Sequence, residues 1–107
     1  MGDSVIGFVI TQKLYEDYPD KQEGSLSKKR ALIVGRRHLN LVGEEIFSDA
    51  DIKNNLQKIP KNIYGNTLEA LVGAIYIDKG LLFAEKFIVK KIFLSSSKLT
   101  SLLKVFN

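Results

Sequence analysis

The sequence contains no cysteine and no tryptophan, only two prolines, one histidine and one methionine among 107 residues. Without cysteine there are no disulfides and no thiolate metal sites. No stretch approaches the roughly 20 uninterrupted apolar residues of a membrane-spanning helix. The N-terminus lacks the basic-then-apolar layout of a secretory signal, so the expected setting is the cytoplasm. Acidic residues are outnumbered, 12 against 16 Lys and Arg, leaving a net charge of +4. That mild excess is compatible with a polyanionic partner and does not require one. A chain of this length holds one domain with a modest core.

Alternating strand patterns are also missing, and helical spacing fills the space. Val5, Ile6, Val9, Ile10 and Leu14 share one helix face, which the "DYPD" turn at Pro19 ends. Ser25 to about Val34 reads as a second helix, with Leu26, Leu32 and Ile33 inward and Lys28, Lys29 and Arg30 outward. Gly35 marks a break. Leu39, Leu41 and Val42 form a short helical piece that Gly43 is expected to end. Ser48 and Asp51 are candidate starts of a helix around Ile52 and Leu56, closed by Pro60. The clearest helix carries Leu68, Leu71, Val72, Ile75 and Tyr76 and stops at Lys79-Gly80. Gly73 and Ala74 in its middle suit the close approach of a neighbour, which makes this helix central. Leu82 to Leu94 reads as an amphipathic helix. The fold class is therefore all-α, a compact multi-helix domain over residues 1–94, with 95–107 a C-terminal tail.

Within this apolar pattern a few polar residues ask for a reason. Asn66 and Glu69 stand three apart, on one side of their helix, where two oxygens converge in the manner of a hard-cation site. Asn66 near a helix start and Glu69 favouring the helix dipole explain the same spacing without a metal. Asp3 ahead of its apolar face is equally readable as a first-turn acid. Lys28, Lys29, Arg30, Arg36 and Arg37 cluster without intervening acids, as a solvated face or a phosphate-contacting surface. His38 reads as a surface or turn residue, and Tyr64 and Tyr76 as packing residues.

The stretch "GDSVIGFVITQKLYEDYPDKQEGSLSKKRALIV" resembles the signature-helix segment of the ribonuclease III family, and "IYGNTLEALVGAIYIDKG" resembles that family's second motif. The two occur in the family's order and cover most of the chain. The resemblance implies an all-helical endonuclease domain, active as a homodimer, that cuts double-stranded RNA with Mg²⁺ or Mn²⁺. It implies that Asp3, Asn66 and Glu69 are metal ligands, with Asp3, Glu69 and Glu23 of "QEGSL" as the catalytic acids. Lys28, Lys29, Arg30, Arg36 and Arg37 are then the expected RNA contacts. Where the family usually has aspartate this sequence has Asn66, which keeps an oxygen and removes a charge. The family signature also carries a glutamate four residues before the position of Asp3, on a helix expected upstream. The domain is thus expected to be N-terminally shortened and to lack a double-stranded-RNA-binding module. A catalytically weakened domain that binds structured RNA or a protein partner is the alternative reading.

Overall fold

In a computed structural model of the chain, residues 1–47 and 61–96 are described. Five α-helices occupy them: α1 (Gly2–Asp17), α2 (Glu23–Ile33), α3 (Arg36–Ile46), α4 (Ile63–Lys79) and α5 (Leu81–Ile88). A π-helical turn, Val89–Phe93, and a 3₁₀ turn, Leu94–Ser96, extend α5. No strand occurs among the described residues, and none of their helices is long and apolar enough to cross a membrane. The expected helix around Ile52 and Leu56, and most of the 95–107 tail, lie outside the described residues.

Periodicity locates the core. Val5, Ile6, Val9, Ile10 and Leu14 of α1 are all buried, against Leu68 and Val72 of α4 and Ile88 and Ile92 beyond it. The chain turns at Pro19 as expected, after the Tyr18 amide donates to the Leu14 carbonyl. Gly35 separates α2 from α3 as the N-cap of the latter. Gly80, at φ 87, makes the left-handed turn from α4 into α5 that a side chain would strain. The buried stripe Ala84, Ile88, Ile92 and Ser96 has a spacing of four. In an α-helix such a stripe drifts by about 40° per step, and the wider-wound π turn swings it back toward the core.

Three expectations from residue type give way to tertiary packing. Gly43 does not end α3, which runs on to Ile46; it lies buried inside the helix, where a Cβ would fall 2.3 Å from the Tyr64 carbonyl oxygen. Leu32 is 40% exposed, and Lys29 takes the inward position at 1%. Lys29 completes the stripe Leu26, Lys29, Ile33, with its ammonium 4.3 Å from the centre of the Tyr18 ring, a cation–π contact that tolerates burial. His38 is the third. Rather than sitting on the surface it is buried, its Nε2 2.9 Å from the Ile92 carbonyl, which fixes Nε2 as the protonated, donating nitrogen.

His38 thereby fastens α3 to the π turn. Replacing it with alanine removes that hydrogen bond and empties the ring's volume, so His38→Ala is expected to cost about 2 kcal/mol. Urea unfolding monitored by circular dichroism would measure it, and an unchanged midpoint would contradict the fastening role.

Candidate functional site

The site grows from one close helix crossing. At Gly2 an added Cβ would lie 1.7 Å from the Glu69 carbonyl oxygen, so only glycine lets the start of α1 touch the backbone of α4. Gly73, one turn further along α4, faces the Gly2 amide: a Cβ there would sit 3.4 Å from it. This crossing carries the next residue, Asp3, to the same place as Glu69. Both line one open cleft of about 410 Å³, floored by Ala70, Gly73 and Ala74.

The two carboxylates differ in setting. Asp3 is exposed and accepts a hydrogen bond from the N-terminal ammonium of Met1 at 3.3 Å. That bond, with a second from the Ser4 amide and the attraction of the ammonium charge, holds its carboxyl below the usual aspartate range. Glu69 is 19% exposed and ion-paired through Oε1 to Nη2 of Arg36, which reaches across from the first turn of α3. The other arm of the same guanidinium, Nη1, donates to Asn66 Oδ1 at 2.8 Å. Arg36 therefore joins Asn66 to Glu69.

The frame around this clamp is α3 against the start of α4. Asn40 of α3 accepts from the Gly65 amide at 2.8 Å, and its own amide donates to Asn62 Oδ1 at 3.1 Å. One of the orphan N–H groups of α4 is thus capped from a neighbouring helix. Gly65 has no room for more, since a Cβ would lie 2.6 Å from Asn40 Oδ1.

Of the residues expected to form the site, the fold gathers Asp3 and Glu69 around one cleft and links Asn66 to Glu69 through Arg36. Glu23 is not among the residues lining that cleft; it lines a separate one of about 230 Å³ beside Tyr15, Ser27 and Arg30. The expected basic surface is also divided. Lys28 and Arg37 are exposed, while Lys29 is buried and leaves that surface. Arg30 is exposed but lies over Gly7 of α1, its Nε donating to Thr11 Oγ1 at 2.7 Å. Arg36, read from the sequence as an RNA contact, is the residue whose placement was missed. Thirty positions separate it from Asn66, and no periodicity joins them.

A divalent cation can be judged on the donors alone. Among the described residues no three His, Cys, Asp or Glu side chains form a group able to hold a metal. Two acidic residues, Asp3 and Glu69, line the cleft, and the Asn66 oxygen, outside it, is joined to Glu69 through Arg36. An all-oxygen set of that size fits a hard ion such as Mg²⁺, which keeps several waters and takes one or two carboxylates.

Comparison with known proteins places the chain among relatives. It matches the Ribonuclease III domain family over residues 1–80. A Ribonuclease 3 of Flavobacterium psychrophilum is 45% identical over 94 residues, covering 86% of this chain and 38% of the relative. A Ribonuclease 3 of Zunongwangia profunda is 40% identical over 94 residues, covering 86% and 39%. One from Mycoplasma genitalium is 42% identical over 94 residues, covering 87% and 36%. The chain thus spans less than two-fifths of the length of each of these three. No solved structure matches it.

Proposed function

The chain belongs to the ribonuclease III family, and from that premise we propose that it is a divalent-metal-dependent endoribonuclease domain acting on double-stranded RNA, as a homodimer, in the cytoplasm. The observation that carries the reading is the crossing at Gly2, which brings Asp3 and Glu69 to the lining of one open cleft.

Asp3 and Glu69 would hold the ion, Mg²⁺ or Mn²⁺, beside Asn66. When bound, such an ion supplies activation of a water and stabilisation of the leaving oxygen of a phosphodiester. The chain's own part is orientation. Glu69 is held by Arg36, so its carboxylate is set before substrate arrives. Asp3 is exposed on the first turn of α1, open to an incoming ion. Lys28 and Arg37, with the exposed parts of Arg30, are the candidates for phosphate contacts. Glu23 contributes from its separate cleft as an accessory acid rather than as a ligand of the same ion.

The test is cleavage of an end-labelled RNA duplex with Mg²⁺, with Mn²⁺ and with chelator. Metal-dependent cuts that fall at least about a hundredfold in an Asp3→Asn variant are expected, the upper figure for changing a ligand's outer partners. A folded chain that binds the duplex and leaves it intact in both metals would favour the alternative, a binding domain of the same family.

A further inference from the structure

Among the described residues Arg36 is the side-chain cation paired with a proposed metal ligand, Glu69, and its geometry is that of a fork. Nη2 pairs with Glu69 Oε1 and Nη1 donates to Asn66 Oδ1. A guanidinium only donates, so the Asn66 atom facing it is necessarily the oxygen. The planar fork matches two acceptors at once, which an ammonium does not. Glu69 Oε1 is buried, so any exposure its carboxylate has to the cleft is through Oε2. Asn66 is not among the residues lining the cleft, and its oxygen is already engaged.

We propose that Arg36 is a counter-ion latch: in the free protein it occupies the carboxylate of Glu69 in place of a divalent cation, and Asn66 acts by anchoring Arg36 rather than as a metal ligand. The inference rests on the reading of Asp3 and Glu69 as the metal site. Its physical basis is charge. The trio of Arg36, Asn66 and Glu69 sums to zero, so the ion meets a carboxylate already neutralised and a positive charge beside it. Asn66 matters here because aspartate would leave a net negative charge even with Arg36 in place. Arg36 is thus a positioning residue that sets metal affinity.

Mn²⁺ alone, titrated into the purified chain without RNA and followed by electron paramagnetic resonance, reads this directly. Arg36→Gln is expected to bind Mn²⁺ roughly tenfold more tightly, from removing one charge a few ångström from a divalent ion in a water-like dielectric. Arg36→Lys keeps the charge and should stay near the wild-type affinity. Asn66→Ala should bind at least as tightly as wild type, whereas a direct ligand would bind more weakly. Glu69→Gln should lose most of the binding. Thermal unfolding in chelator reports whether each variant is folded. Equal or weaker binding by a folded Arg36→Gln, with Glu69→Gln still impaired, overturns the latch and leaves the metal site standing. Should Arg36→Gln fail to fold, weaker binding by a folded Asn66→Ala or a tenfold gain by Arg36→Lys overturns it instead. Unimpaired binding by Glu69→Gln overturns the latch and the metal reading together.

Discussion

Glu69→Gln is expected to lower metal-dependent cleavage of an RNA duplex by at least about a hundredfold while the domain remains folded. The substitution keeps the length of the side chain and leaves an oxygen able to face Arg36, so the α3–α4 contact survives. What it removes is the negative charge of one of the two acidic residues that line the cleft among the described residues. Even outer partners of metal ligands cost 10–100-fold when changed, and a ligand should exceed that upper figure of about 10². Initial rates under saturating Mg²⁺, together with melting temperatures of both proteins, would decide it. Cleavage within tenfold of wild type would mean that Glu69 serves the fold and another group serves the metal.

A large effect on stability is expected at Gly43. On helix propensity alone, alanine there would gain about 1 kcal/mol. Packing reverses the sign. The added methyl would stand 2.3 Å from the Tyr64 carbonyl oxygen and 2.6 Å from its carbon, and backbone cannot rotate aside as a side chain can. α3 and α4 must separate, undoing the contact along which Asn40 caps α4 and Arg36 reaches Glu69. Gly43→Ala should therefore destabilise by roughly 3 kcal/mol, the upper end of overpacking costs. For a domain of this size that lowers the melting temperature by more than about 10 °C. A melting temperature equal to or above wild type would show that the two helices have slack at this crossing.

Gly2 and Gly43 share one principle, since each marks a place where two helix backbones touch. Around Gly2 the contact makes the cleft, and around Gly43 it sets the angle from which Arg36 arrives. Both positions look like ordinary glycines in the sequence, one near an end and one plausible as a helix stop. Only the partner backbone, supplied from the distant residues Glu69 and Tyr64, reveals the constraint.

The sequence by itself determined the helices and most of their inward faces. Burying an apolar stripe requires a fixed period, which α1 displays throughout; in α4 Leu68 and Val72 follow it, while Tyr76, expected to pack, is 38% exposed. It also marked the breaks at Pro19, Gly35 and Gly80, where local backbone chemistry acts alone. Two long motifs carried the family. Where residue type was allowed to overrule period, the reading failed: Lys29 lies three after Leu26 and four before Ile33, and His38 lies four before Val42, so both occupy core positions despite their polarity. Tertiary structure gave each the partner that permits burial, the Tyr18 ring for one and the Ile92 carbonyl for the other. It alone decided that Asp3 meets Glu69 and that Arg36 grips Glu69 and Asn66. These are long-range contacts, set by how closely backbones approach, and no local pattern encodes a distance between helices.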